Sequence, residues 1–106
     1  MKYYWIVEVD LKDPSWLQAY NENVTRLIEA RGGRYLARST SVQRIEGDRT
    51  TPNACVIVEW PSREAAVEFY ESAEYRPFLD SRLKGATNHM LLVPGEDVGQ
   101  AANVPN

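Results

Sequence analysis

The sequence predicts one α+β domain of β-α-β-β-α-β order, the ferredoxin-like arrangement, in which a four-stranded antiparallel sheet carries helices on one face. Three observations predict it. Four segments rich in β-branched and aromatic residues alternate with two helical patterns in that order. The 106 residues suit one domain, and no Pro/Gly/Ser-rich stretch splits them into halves that each hold a core. The first and third strands are apolar on both parities, so both faces of the sheet need a cover.

The first strand is predicted at residues 3 to 9. Tyr3, Trp5, Val7 and Val9 share one face there, and Tyr4, Ile6 and Glu8 share the other. Asp13-Pro14 supplies an N-cap and a proline at the first helical position, where a missing N–H costs nothing. A helix over about 15 to 31 follows, with Trp16, Tyr20, Val24, Leu27 and Ile28 at helical spacing and Gly32-Gly33 as its stop. Residues 34 to 39 form the second strand, and 41 to 47 extend it or return beside it. Residues 47 to 53 are a turn or loop by composition, and 54 to 60 form the clearest strand, ended by Pro61.

Ser62 caps the second helix, with Glu64 suited to the positive end of its dipole. Ser72 reads as a fresh cap, after which Tyr75, Phe78, Leu79, Arg82 and Leu83 continue at helical spacing past a kink near Pro77. Gly85 ends this region and residues 87 to 93 form the last strand. The domain thus covers 1 to 95. Residues 96 to 106, with Val98 and Val104 as their only sizeable apolar side chains, are expected to be a flexible tail.

A net charge of −3, spread along the chain, offers no basic stripe to neutralise phosphates, so nucleic acid is not an expected partner. No apolar run approaches the roughly 20 residues that cross a bilayer, and Glu8 and Asp10 interrupt any signal-like segment. The single cysteine, Cys55, excludes an internal disulfide and fits a cytoplasmic setting. Two-sided apolar strands under a one-sided helical layer predict a homodimer, its sheets packed together.

Tyr4-Trp5, Asp13 and Tyr20, Gly32-Gly33-Arg34-Tyr35-Leu36-Ala37-Arg38 and Ile45-Glu46-Gly47 form an ordered set with Val58-Glu59-Trp60-Pro61-Ser62, Glu64-Ala65-Ala66, Tyr70, Ser72, Glu74-Tyr75 and Arg82. In this set the chain resembles the uncharacterised bacterial proteins of domain-of-unknown-function family 1330, in the dimeric α/β-barrel superfamily. The likeness spans residues 3 to 93. It implies the ferredoxin-like fold and a dimer, and brings no catalytic residues. Ser39-Thr40 stand where members often have two glycines after the arginine, and Val93-Pro94-Gly95 where many have valine-glutamate-glycine.

The candidate site residues are Glu8, Glu59, Arg38 and His89 for catalysis, with Tyr4, Ile6, Arg38 and Glu59 for ligand binding. Glu8 and Glu59 are each the sole acid in an apolar strand, on the parity of Tyr4 and Ile6 that should face the partner sheet. In a closed cleft such acids need a partner such as Arg38 or His89 and become candidates for proton transfer. The competing reading is a structural ion pair or exposure at the strand ends. His89 is the only histidine, and no Cys/His/Asp/Glu cluster has metal-ligand spacing, so no metal is expected. No glycine-rich phosphate loop is present and no cofactor is indicated. Cys55 reads as a small buried hydrophobe. The aromatic set Tyr3, Tyr4, Trp5, Trp16, Tyr20 and Tyr35 reads mainly as core, with the capacity to line a pocket for a flat ligand.

Two functions stay open. One is a small-molecule site in the cleft between sheet and helices, including cofactor-free conversion of an aromatic or enolisable compound. The other is a non-catalytic homodimeric binding or assembly module.

Overall fold

Strand β1 (Tyr3–Leu11) lies inside the sheet, paired antiparallel to β3 (Ala54–Trp60) on one side and to β4 (Ala86–Pro94) on the other. β2 (Arg34–Ser39) forms the edge beyond β3, giving the order β2-β3-β1-β4 of the ferredoxin-like fold. The computed structural model describes residues 1–99. Alternation divides β1 as expected: Trp5, Val7 and Val9 are buried under the helices, while Tyr4, Ile6 and Glu8 face the helix-free side. The core joins these residues to Val58 and Trp60 of β3, with Val24 and Ile28 of helix α1 (Leu17–Ala30) above them. Phe69 of α2 (Arg63–Glu71) and Leu79 of α3 (Arg76–Gly85) complete it. Trp5 is its centre, with ring centroids 5.1 Å from Trp60 and 5.9 Å from Phe69.

The first helical region begins as a separate 3-10 turn, Pro14–Trp16, before α1. Asp13 caps it, its Oδ1 accepting from the Ser15 N–H at 3.0 Å. The amides of Lys12 and Asp13 both donate to the carbonyl of Gly85, which ties the start of this region to the end of α3. The indole of Trp16 lies where a Cβ on Gly85 would be. Only glycine permits that approach.

Ser62 caps α2 through a bond from the Ala65 N–H to its hydroxyl at 3.1 Å, and Ser72 takes the Tyr75 N–H at 3.3 Å. The expected kink near Pro77 is instead a full break. Ser72 is extended and α3 starts afresh with Pro77 in its first turn, because within a continuous helix the ring would meet the carbonyl of Ala73. The extension expected over 41–47 forms no strand; the whole of 40–53 is loop and turn. It crosses the helix-free side of β1, where Arg49 Nη2 sits 3.3 Å from Glu8 Oε2.

β2 departs from simple alternation. Arg34 pairs with Glu59 and Tyr35 with Val58, but Ala37 pairs with Ile57 and Arg38 with Val56, leaving Leu36 as an extra residue. This bulge re-aims the following side chains, so Tyr35 and Arg38 share the helix-covered side. The Arg38 guanidinium stacks 3.8 Å from the Tyr35 ring centroid.

After β4, the Gly95 amide donates to the Lys2 carbonyl at 2.8 Å. Of the expected tail, residues 96–99 are exposed and outside helix or strand, and 100–106 lie outside the described residues.

Candidate functional site

On the helix-free face, Glu59 is well partnered. Its Oε2 accepts from the Tyr4 hydroxyl at 3.2 Å, while Arg34 Nη2 and Lys2 Nζ lie 3.4 and 3.8 Å from Oε1. Partial desolvation and the neighbouring Glu59 carboxylate shift the Tyr4 phenol upward from its ordinary value. Glu8 stands apart from Glu59, two register positions beyond Ile6, and its ion-pair partner is Arg49. With Ile6, Cys55, Val42 and Arg44 it borders a groove of about 220 Å³ beneath the 42–52 loop. His89 is exposed opposite Glu8 in the β1–β4 register. Cys55 is half-buried at the groove instead of deep in the core.

Arg38 joins none of these groups. The bulge at Leu36 sends it to the opposite face, where its Nη1 donates to Thr25 Oγ1 at 2.8 Å. The cation expected for Glu59 is therefore supplied by Arg34, four residues earlier in the same strand.

Arg38 instead stands at the rim of a cavity of about 180 Å³ between the sheet and the helices. Val7, Val9, Val56 and Val58 form its floor; Trp16, Tyr20, Tyr35 and Met90 wall it. Arg38, Ser39 and Thr40, all exposed, mark its mouth at the free end of β2. Trp16 and Tyr20 meet edge to face with centroids 5.3 Å apart. Nearly all of this lining is apolar or aromatic, the composition of a small-molecule pocket.

The one buried polar side chain of the lining is at the helix end; Asn21, which also lines it, is exposed. Arg82 of α3 lines the cavity yet is only 3 % exposed, and its Nη2 donates to the Tyr75 hydroxyl at a long 3.4 Å. Tyr75 is fully buried, and its hydroxyl lies 2.6 Å from that of Tyr20. Burial disfavours the charge on Arg82, but the two phenol oxygens outweigh it and hold the guanidinium protonated. Burial also pushes the Tyr20 phenol well above its ordinary range, with Tyr75 adding to the effect. The cluster is a buried guanidinium and two phenol side chains beside an apolar void.

The expected candidates left out Tyr75 and Arg82; Trp16 and Tyr20 stood in the aromatic set read mainly as core with the capacity to line a pocket. One signal was available: Arg82 occupies a position of the inward stripe with Tyr75, Phe78 and Leu79, where a charged side chain needs a reason. Among the described residues no three His, Cys, Asp or Glu side chains are grouped to hold a metal ion, and no helix is long and apolar enough to cross a membrane.

Fold and cavity together define a ferredoxin-like α+β protein with a cavity between its sheet and its helices. The chain belongs to the family described as Domain of unknown function (DUF1330), which matches residues 2–96. No protein of curated function matches its sequence. Among solved structures it is similar to a protein of unknown function from Rhodopseudomonas palustris, RPA0582, with a TM-score of 0.75 and 18% identity over 91% of this chain and 84% of that one. It is also similar to SnoaB, a cofactor-independent oxygenase from Streptomyces nogalater, with a TM-score of 0.64 and 10% identity over 91% and 94% of the two chains. An antibiotic biosynthesis monooxygenase gives a TM-score of 0.59 and 14% identity over 92% and 100%. At these identities the likeness is one of fold.

Proposed function

We propose that this protein binds a small, flat, largely apolar molecule in the cavity between the sheet and α1 and α3. One observation carries the proposal: an apolar cavity with aromatic walls opens at the free end of β2. An apolar ligand that displaces water from this apolar opening of about 180 Å³ gains the hydrophobic contribution of the surface it covers. The proposal extends to conversion of an aromatic or enolisable compound without a cofactor; that part rests on sharing a fold with the SnoaB oxygenase and is analogy alone.

The test is a binding titration with indole, followed by the melting temperature, since a ligand of the native state raises it by mass action. Val56→Phe would place a ring in the cavity from its floor. Indole should stabilise the wild type and not the variant, at a variant stability equal to or above wild type. Equal indole responses from both, or none from either, would remove the cavity as the binding site.

We also propose that the functional unit is one domain over residues 1 to 95, paired as a homodimer through the helix-free face. Leu91 is 63 % exposed there, beside Val93, Ile6 and Ile57. Such a row of apolar side chains on an open sheet face is suited to a second copy of itself. The lone Cys55 suits a cytoplasmic setting.

A further inference from the structure

The donors around the cavity carry more information than its shape, and they extend the cavity-binding proposal on which this inference rests. A guanidinium only donates, so the Tyr75 oxygen must accept from Arg82. Tyr75 is fully buried, and the Tyr20 oxygen is the only acceptor within reach of its own proton among the described residues. Tyr75 therefore donates to Tyr20. The Tyr20 proton is left over, on a side chain that lines the cavity.

Two further donors are in the same position. Arg82 Nε and Trp16 Nε1 are buried with no hydrogen-bond partner among the described residues, and both side chains line this cavity. No carboxylate of the described residues forms a salt bridge with Arg82; the ion pairs all lie elsewhere. A buried cation without a counter-ion, next to two unused donors, is an arrangement that folding alone disfavours. Among the described residues the one buried acceptor without a partner nearby, Asn88 Oδ1, belongs to a side chain held at the Arg82 backbone carbonyl, and Asn21, the amide side chain of the lining, is exposed. Each of the three donors needs an acceptor, and the guanidinium needs a negative one.

We infer that the ligand of this cavity carries an oxyanion, a carboxylate or an ionised enol or phenol, seated on Arg82, Tyr20 and Trp16 with its apolar body over the valine floor. Arg38 at the mouth is solvent-exposed and stacked on Tyr35, so it attracts an anion without fixing its position.

The experiment compares benzoate with acetophenone, its neutral isostere, by NMR titration of the wild type and of Arg82→Met, Arg38→Met and Tyr20→Phe. The wild type should bind benzoate roughly ten-fold or more tighter than acetophenone, the usual margin of a charge-assisted hydrogen bond. Arg82→Met should abolish that preference while retaining acetophenone, and Arg38→Met should keep it. Should Arg82→Met fail to fold, Tyr20→Phe serves: it removes one donor at constant ring shape and must reduce the preference. 4-Nitrophenol separates the two oxyanion sources, because its absorbance reports whether the bound form is the phenolate. Equal affinity for benzoate and acetophenone would overturn the inference and leave the cavity as an apolar site. A preference that survives Arg82→Met and disappears in Arg38→Met would also overturn it. Binding of neither compound would overturn the inference and the cavity reading together.

Discussion

The hydroxyls of Tyr20 and Tyr75 meet at 2.6 Å, joining α1 to the segment that opens α3 across 55 positions of sequence. The pair links the buried Arg82 guanidinium to the cavity. Its consequences extend to stability as well as to binding.

Burial raises the folded pKa of Tyr20 well above its unfolded value, which lies near 10. The protonated phenol therefore contributes fully below about pH 10. Its contribution is lost as pH rises beyond that point, because the unfolded chain releases the proton first. Unfolding free energy should fall above pH 10 by up to ~1.4 kcal/mol per pH unit for this group. Tyr20→Phe should have a shallower alkaline slope. Parallel slopes in urea titrations from pH 8 to 11 would contradict the assignment.

Gly85→Ala tests the contact beneath Trp16. In an open helix the change would stabilise by up to ~1 kcal/mol. Here the added methyl collides with the indole, so a loss of about 1–3 kcal/mol is expected. The variant should also weaken binding in the cavity that Trp16 walls. A stabilised variant with unchanged binding would show that Trp16 is free to move.

Glu59→Gln should cost no more than about 1 kcal/mol. Its cations Arg34 and Lys2 keep side-chain exposures of 70 and 57 %, so both regain water when the charge is removed. The Tyr4 hydroxyl keeps an acceptor in the glutamine. Cavity binding should be unaffected, since Glu59 lies on the other face of the sheet. Altered benzoate affinity in this variant would couple the two faces.

The proposed dimer predicts a twofold monomer mass by light scattering at micromolar concentration. Leu91→Glu, which places a charge amid the exposed apolar row, should give a monomer that retains its helix content. A wild type that is monomeric across that range would remove the helix-free face as an interface.

The fold was largely legible because its local signals agree with its topology. β3 was read to the residue, since a β-branched run ends at Pro61, and Ser62 and Ser72 both cap as their positions predict. Strand parity placed Trp5 inside and Glu59 outside. The site was less legible for two physical reasons. The bulge at Leu36 is a backbone event that no side-chain pattern announces, and it alone moves Arg38 from the face of Glu59 to the cavity. Arg82 occupies a core position of α3, yet a helical period cannot show that its neighbours across the fold are phenols and not carboxylates. That pairing depends on Tyr20 and Tyr75 meeting in three dimensions.

Intermolecular NOEs from the ring protons of bound benzoate report directly whether ligand sits between sheet and helices. Met90 and Val9 line the cavity, whereas Ile6 and Leu91 belong to the opposite face. NOEs to the Met90 and Val9 methyls are expected, and none to Ile6 or Leu91. NOEs confined to Ile6 and Leu91 would contradict that placement.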